Sequence, residues 1–413
     1  MARNILQMAL PMTVAQLINI LYNIVDRMYL GRLPGHLSLT GLGLCLPIIS
    51  ILMGFANLCG MGGAPLCSIH RGKGENEEAE RILGNSFTLL LLFGGGLTVF
   101  CLAFRRPILY LFGASDLTFP YANDYLTIYL LGTLFVMIGL GMNPFINAQG
   151  FSRMGMMTVA LGAAVNIVLD PIFIFALDMG VRGAALATVM AQTASFVVCL
   201  WYVRRHQDLF GLTRRRGGIE RAKLTQMLKL GIPSAVQMTV VGLSWLAMTF
   251  LINDYGVDAS AASGICAKIK DIALLSTLAL YTAATTVIAQ CLGAGKFDRA
   301  SRVVHVAMRI SIGVAAGLIV IIEVFAPQIL SIFNPDQATM ALAVQNLRIE
   351  ILGQIFYASF MVYNALPMGA GHTMFALASS LLNCIVVRVV LAVILNHVFG
   401  LVGIFWACAI APA

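Results

Sequence analysis

Long stretches without a charged side chain constrain this sequence more than any other feature. The stretches from Leu37 to Ile69 and from Gly183 to Val203 contain no Asp, Glu, Lys or Arg. A helix needs about 20 apolar residues to cross a bilayer, so each stretch is long enough to span one. Only 11% of the 413 residues are charged, whereas about 25% are charged in an ordinary soluble domain. The sequence therefore predicts an all-α polytopic membrane protein.

Twelve apolar segments can be placed along the chain, at 5–30, 38–67, 83–104, 120–149, 154–177, 183–203, 224–252, 257–291, 303–323, 338–368, 373–396 and 398–413. The last segment is short for a span, so we expect it to be truncated or not to cross fully. We also expect the natural protein to extend further at one or both ends. The nine cysteines show no CxxC or Cys/His clustering. We interpret them as small core residues, and we expect no cofactor and no metal beyond Na+.

The distribution of basic residues indicates the orientation in the membrane. With a cytoplasmic N-terminus, five arginines fall in outward loops: Arg27, Arg32, Arg105, Arg106 and Arg182. Fourteen basic residues then fall in inward loops: Arg71, Lys73, Arg81, Arg153, Arg204, Arg205, Arg214, Arg215, Arg216, Arg221, Lys223, Lys296, Arg299 and Arg302. Because cytoplasmic loops are enriched in Lys and Arg, this predicts a multi-pass inner-membrane protein with its N-terminus in the cytoplasm. Membrane orientation explains the net charge of +8 better than nucleic-acid binding does.

An internal repeat predicts two related halves. The run Leu6–Pro11 resembles Leu228–Pro233, and Asn166, Gly180 and Gly183 match Asn383, Gly400 and Gly403 at a spacing of 217 to 222 residues. With six helices per copy, both copies have the same orientation, an arrangement known in secondary transporters. We therefore predict two pseudo-symmetric six-helix lobes, 1–203 and 224–413, joined by a basic cytoplasmic linker at 204–223. A cavity between two such lobes would give alternating access, and we expect the protein to act as a monomer.

An ionisable group inside a membrane span costs about 3 kcal/mol and suggests function, and two acidic residues of the N-terminal half are the main candidates. Asp26 lies near the outer end of the first segment and shares a helical face with Asn19 and Tyr22. Asp170 lies in the fifth segment, four residues after Asn166. A simpler interpretation is that Asp26 pairs with its neighbour Arg27 and that Asp170 caps or breaks a helix.

Convergence of these residues with Thr188, in the sixth segment, would create an oxygen-lined site. Such hard ligands suit an alkali cation. Alternatively, two carboxylates held close together in a low dielectric resist ionising together, so the pair could take up a proton. Periodicity alone leaves both uses open, and it leaves the convergence itself a hypothesis.

The chain resembles the multidrug and toxic compound extrusion (MATE) family over essentially its whole length. The resemblance is carried by Ala9–Pro11, Tyr22–Asp26 and Gly31-Arg32 at the start, then Asn166–Pro171, Gly180–Thr188 and Ala289–Gly295. It implies a MATE or flippase-like fold and a cation or proton site at Asp26, Asn166, Asp170 and Thr188. In the same comparison Asn19 and Tyr22 would line the substrate cavity. The stretch Ser234–Thr239, in the seventh segment, contains no acidic residue, which favours the archaeal-type or DinF-like branch.

Two prolines are candidate hinges. The family associates the proline that matches Pro11 with bending of the first helix, and Pro233 takes the equivalent place in the second half. Proline removes a backbone hydrogen bond and weakens a helix locally. Pro233 could equally lie in the first turn of its helix, where proline is tolerated.

These observations predict an antiporter, not an enzyme, that exports amphipathic and often cationic compounds while Na+ or H+ flows inward. The alternative is a flippase for lipid-linked saccharides, which would need a cationic cavity. The candidates for that cavity are Lys268, Lys270, Arg348 and Arg388. Lys268, Lys270 and Asp271 could instead neutralise one another, and Arg348, Glu350 and Arg388 could form stabilising pairs.

Overall fold

The computed structural model describes residues 2–32, 37–205, 220–333 and 335–412. Within these ranges every regular element is a helix. Eleven helices are long and apolar enough to cross a membrane, and a twelfth apolar helix, Leu401–Ile410, is shorter. Many large apolar side chains face outward along these helices, as expected where lipid replaces water as the surrounding medium. The all-α polytopic prediction is confirmed.

The helices of the N-terminal half are α1 (Ala2–Leu30), α2 (Leu37–Lys73), α3 (Asn76–Ala103), the short α4 (Arg105–Leu111), α5 (Phe119–Ala148), α6 (Ser152–Pro171) and α7 (Gly180–Arg205). A π-helical segment, π1 (Ile172–Ala176), follows α6 directly. In this half α5 buries more than half of its apolar stretch. It packs against α2, α3 and α7, and α6 packs against α7.

The helices of the C-terminal half are α8 (Arg221–Asn253), α9 (Val257–Gly293), α10 (Phe297–Ser331), α11 (Gln337–Leu352), α12 (Gln354–Gly369), α13 (Thr373–Leu381), α14 (Arg388–Phe399) and α15 (Leu401–Ile410). A second π-helical segment, π2 (Leu382–Val387), joins α13 to α14. Here α9 is the most buried span and contacts α10, α11 and α12. Most of the predicted basic linker, residues 206–219, lies outside the described residues.

The chain divides into two compact units whose limits fall inside helices. One unit comprises Val14–Gly231, and the other comprises Met1–Thr13 with Ile232–Ala413. Helix α1 therefore contributes its first residues to the unit built mainly from the C-terminal half. Helix α8 likewise contributes residues up to Gly231 to the unit built mainly from the N-terminal half.

Packing explains this division for α1. Ile5, Ala9 and Met12 are buried in a cluster with Ala283 and Val303 of the C-terminal half. Each of these three α1 side chains is at most 7% exposed. Burial of apolar surface on this scale fixes the first three turns of α1 to that unit.

The start of α8 is held to the N-terminal half by charge and by close backbone approach. Lys223 forms an ion pair with Glu78, and Glu220, just before the helix, pairs with Arg81 at 3.2 Å. A Cβ atom added to Gly231 would lie 2.6 Å from the carbonyl oxygen of Leu58. Only glycine permits that approach, so the last residue of this stretch is fitted to α2.

The internal repeat is visible in one matched hydrogen bond. The thiol of Cys45 on α2 donates to the carbonyl of Ala122 on α5 at 3.3 Å. The thiol of Cys266 on α9 donates to the carbonyl of Ala343 on α11 at 3.2 Å. Both pairs are 77 residues apart, so α2 and α5 correspond to α9 and α11.

Candidate functional site

Helix α1 presents a short polar stripe within the unit Val14–Gly231. Asp26 and Tyr22 are both partly buried on this helix, and the Oδ1 atom of Asp26 is fully enclosed. One turn earlier, Asn19 accepts hydrogen bonds from Asn23 through its backbone oxygen at 2.7 Å and its side-chain oxygen at 3.1 Å. Tyr22 and Asp26 of this stripe both interact with the second acid, Asp170.

Helix α6 supplies the second acid. Asp170 is 0% exposed and Asn166 is 1% exposed. The amide nitrogen of Asn166 donates to Oδ1 of Asp170 at 3.4 Å, which follows from their spacing of one helical turn. Asp170 is therefore held by its own helix in one orientation.

The two carboxyl groups meet inside this unit. Asp26 and Asp170 lie within hydrogen-bonding distance of each other, and Tyr22 lies near both carboxyl groups. A hydrogen bond between two carboxyl groups requires a proton on one of them, since an ionised carboxylate can only accept. The geometry therefore suits a shared proton.

Three side-chain oxygens in this cluster are buried without a hydrogen-bond partner: Oδ1 of Asp26, Oδ1 of Asn166 and Oδ2 of Asp170. Buried polar atoms are nearly always paired in folded proteins, so orphaned acceptors call for an explanation. A set of hard oxygen acceptors is what an alkali cation or a proton requires. The chemistry of these three oxygens thus fits a bound monovalent cation.

The backbone loosens directly after Asp170. Pro171 has no N–H group and cannot bond the carbonyl of Ile167, one turn earlier. The next N–H, from Ile172, bonds Leu169 instead, and π1 begins there. π-Helical turns often occur at functional sites, because they free backbone groups and re-aim side chains.

Sequence analysis did not identify two tyrosines beside the acids. Tyr125 and Tyr129 on α5 are 5% and 3% exposed, and their rings stack with centroids 6.2 Å apart. Tyr125 lies close enough to Asp26 to interact with it electrostatically, and Tyr129 does the same with Tyr22. Two phenols one helical turn apart within an apolar span are the signal that could have identified them.

The simpler interpretation is wrong for Asp26 and partly right for Asp170. Although Arg27 influences Asp26 electrostatically, no ion pair joins these two described side chains. Asp170 does lie where the α-helix ends, one residue before Pro171, but its side chain accepts from Asn166 of its own helix. Both acids are therefore at least partly buried without a basic partner among the described residues.

The other predicted residues lie elsewhere. Thr188 is partly buried on α7, and in the described part of the chain it makes no hydrogen bond to Asp26, Asn166 or Asp170. Pro11 and Pro233 are buried inside α1 and α8. The interpretation of Pro233 as a first-turn residue is wrong, because α8 begins twelve residues earlier, at Arg221.

Three ion pairs join charges in the described membrane helices of the C-terminal half, in combinations that the sequence predicted only in part. Lys268 pairs with Asp271 at 3.6 Å on an exposed face, and Arg348 pairs with Glu323 at 3.6 Å. Lys270 does not join the first pair but forms a buried ion pair with Glu350. The expected neutralisation among Lys268, Lys270 and Asp271 is therefore only partly right.

Comparison with known families identifies both halves. The MatE family model matches residues 11–172 and again residues 233–394. The two matches begin at Pro11 and Pro233 and together cover most of the chain. This agrees with the internal repeat.

Characterised relatives and solved structures align over nearly the whole chain. The probable multidrug resistance protein YoeA of Bacillus subtilis (strain 168) is 26% identical over 394 residues, covering 94% of this chain and 85% of YoeA. The multidrug export protein MepA of Staphylococcus haemolyticus (strain JCSC1435) is 27% identical over 407 residues, covering 98% and 89%. A multidrug resistance MATE transporter in an outward-facing conformation superposes with a TM-score of 0.92 at 23% identity, covering 100% of this chain and 92% of that one. The structural likeness confirms the predicted fold of twelve transmembrane helices in two lobes.

Proposed function

Since the chain belongs to the MatE family of transporters, we propose that it exports amphipathic, mostly cationic compounds in exchange for inward H+ or Na+. Its relatives named as multidrug resistance and export proteins support multidrug efflux. The observation that carries the coupling proposal is the meeting of Asp26 and Asp170, with three unpartnered oxygens around them.

The acid pair is the proposed coupling site. Binding of a proton or Na+ removes charge from a buried pair that lacks a basic partner. A ligand shifts a conformational equilibrium only by its differential affinity for the two states, and loss of a buried charge supplies such a difference. Asn166 orients Asp170, and Tyr22 lies where a cationic substrate would compete with the ion. Thr188 stays a predicted ligand, since no contact supports it yet.

Pro11 and Pro233 are the proposed hinges. Each lies within two residues of a limit between the compact units, Thr13/Val14 in α1 and Gly231/Ile232 in α8. A helix whose two ends pack in different units must bend if those units move. Proline lowers the cost of bending, because one backbone hydrogen bond is already absent. The predicted inner-membrane location and cytoplasmic N-terminus complete the proposal.

The lipid-linked saccharide alternative is less well supported. Of its four candidate basic residues, Lys268 and Arg348 already pair with acids on exposed faces. A dye-efflux assay run beside a lipid-translocation assay distinguishes the two functions. We expect dye efflux and no transfer of the lipid-linked sugar.

Reconstituted export under separately imposed gradients tests the proposal. We expect ethidium efflux from proteoliposomes to follow either a proton or a sodium gradient. Asp26→Asn and Asp170→Asn should each reduce gradient-driven efflux at least tenfold, within the range of about 5- to 150-fold typical of coupled sites. Asp271→Asn, which removes an exposed acid paired with Lys268, is the matched control and should export normally. Normal export by either buried-site variant would refute the coupling site.

A further inference from the structure

A second charged cluster lies inside the unit Met1–Thr13 with Ile232–Ala413, and the proposed coupling mechanism makes no use of it. Lys270 of α9 and Glu350 of α11 form an ion pair whose side chains are 13% and 4% exposed. The ammonium of Lys270 also lies 4.5 Å from the centroid of the Trp245 ring, on α8. The guanidinium carbon of Arg388 lies 5.7 Å from the same ring. Two cations, one carboxylate and one indole thus meet.

Arg388 lacks an anionic partner in this cluster. The residue is 6% exposed, and its Nε atom is buried without an acceptor. Within the described ranges no carboxylate forms an ion pair with it. Arg388 also interacts electrostatically with Lys270, Tyr357, Cys384 and Cys408. Lys270 is a cation, and a neutral phenol or thiol supplies no negative charge. The cluster therefore holds an excess positive charge.

The backbone holds Arg388 in this position. Arg388 is the first residue after π2, and Ser244 of α8 donates to the carbonyl of Cys384 within π2 at 2.7 Å. That bond fixes α8 against π2 at Ser244, the residue directly before Trp245. The meeting of Trp245 and Arg388 is thus built into the helix packing, and it does not depend on one flexible side chain.

Unsatisfied buried donors are costly, and more so when they are charged, so an unpaired buried guanidinium calls for a ligand. The planar guanidinium fork matches carboxylate and phosphate oxygens with two parallel hydrogen bonds. Trp245 remains 36% exposed and places an apolar aromatic ring beside the charge. These features together select an oxyanion attached to an apolar body.

We propose that Arg388, Lys270 and Trp245 form a binding site for an amphipathic oxyanion, a carboxylate or phosphate group carried on an apolar or aromatic body. Glu350 neutralises Lys270 in part and leaves the guanidinium free for the ligand. The site adds a substrate class to the exported cations and does not depend on the ion-coupling role of Asp26 and Asp170.

The repeat relates this cluster to the region of the acid pair in the other unit. At the spacing set by Cys45 and Cys266, Glu350 corresponds to Tyr129, which interacts electrostatically with Tyr22. At the spacing of Asn166 and Asn383, Arg388 corresponds to Pro171, the residue after Asp170. The two charged clusters therefore occupy corresponding regions of the two halves.

Tryptophan fluorescence tests the site without transport or a gradient, so its outcome is separate from that of the export proposal. The chain has three tryptophans, and Trp201→Phe with Trp406→Phe leaves Trp245 as the reporter in the purified full chain. We expect 4-nitrobenzoate to quench Trp245 saturably, and its neutral analogue 4-nitrobenzyl alcohol to bind at least tenfold more weakly. A short-chain phosphatidylglycerol titration, with a short-chain phosphatidylcholine beside it, shows whether a lipid phosphate is also accepted.

Arg388→Gln should weaken nitrobenzoate binding about tenfold or more, as expected when a charge-assisted hydrogen bond is lost. Arg348→Gln, which alters an arginine paired with Glu323 on the surface, should bind like the parent. Arg388→Lys should give an intermediate affinity, because the charge remains while the fork is lost. Saturable quenching by nitrobenzoate or by phosphatidylglycerol that is lost in Arg388→Gln supports the site. Which of the two ligands quenches shows whether the site accepts a free carboxylate or a lipid phosphate.

Equal binding of nitrobenzoate and its neutral analogue by the parent protein would overturn the proposal, and so would unchanged affinity in Arg388→Gln. If that variant does not elute as a monodisperse protein, the comparison of charged and neutral ligands on the parent protein decides the matter alone.

Discussion

A carboxyl pair enclosed in a membrane helix bundle without a basic partner can be satisfied in few ways. Asp26 and Asp170 lie within hydrogen-bonding distance, so both cannot remain ionised without a counter-ion between them. A proton or a small cation between the two carboxyl groups removes the repulsion between them. The repulsion returns when that ion leaves. This is why we assign coupling to these two residues and not to the exposed acids.

Asn166 should tune the affinity of the site for its ion. Asn166→Leu removes the amide that donates to Asp170 at 3.4 Å while keeping the side-chain size. Because a hydrogen bond to a charged group is worth about 1.5–3 kcal/mol and this one is long, we expect a shift near five- to tenfold. In proton-driven export, the proton concentration for half-maximal export should fall by that factor, because the donor stabilises the ionised carboxylate and its loss favours the protonated form. Asn364→Leu, which removes a buried amide bonded to its own helix at Phe360, should leave that concentration unchanged; an equal shift in both variants would mean a general packing effect.

At the scale of the element, the segment after Asp170 is held by a close approach of α7. A Cβ atom on Gly183 would lie 2.6 Å from the backbone oxygen of Phe173 and 2.9 Å from the nitrogen of Ile174, both in π1. Gly183→Ala must therefore push α7 away from π1, at a cost of about 1–3 kcal/mol. We expect a lower melting temperature in detergent and reduced export.

Gly139→Ala provides the comparison for that substitution. A Cβ atom at Gly139 meets nothing within 4 Å, so the variant should melt and export like the parent. If Gly183→Ala also behaves like the parent, π1 can move without consequence and the tight approach has no role.

The two proline-containing helices should transmit the conformational change. Pro11→Ala and Pro233→Ala each allow the missing backbone hydrogen bond to form and should stiffen α1 and α8 at the unit limits. We expect several-fold slower export with unchanged affinity for substrate, because gating and not binding is altered. Pro327→Ala, in a helix that lies wholly within one unit, should export at the normal rate. Parent-like export by the Pro11→Ala, Pro233→Ala double variant would exclude hinge bending at these sites.

At the scale of the whole molecule, the sequence predicted the fold and the acid pair well. The uncharged segments, the repeat and the spacing of Asn166 and Asp170 can all be identified along the sequence. They predicted the membrane spans, the two halves and the polar stripe on α6. The meeting of Asp26 with Asp170 required two helices to face each other, which only the resemblance to the family suggested.

What the sequence did not predict depends on how each helix is rotated. Lipid is as apolar as the protein core, so hydrophobicity does not distinguish the buried face of a membrane helix from its outer face. For that reason Tyr125, Tyr129 and the pairing of Lys270 with Glu350 emerged only in the structure. The sequence also did not predict that the limits between the two units fall inside α1 and α8. Those limits depend on contacts with helices distant in sequence, such as the contacts of Ile5 and Lys223.

Ion release on substrate binding tests the central claim most directly. Purified protein in weakly buffered detergent solution is mixed with ethidium, while protons are followed with a pH indicator and sodium with a radioactive tracer. We predict that the parent protein releases H+ or Na+ as the dye binds, and that Asp26→Asn and Asp170→Asn release neither. Release from those variants equal to that of the parent would show that the coupling ion binds elsewhere and would contradict the account.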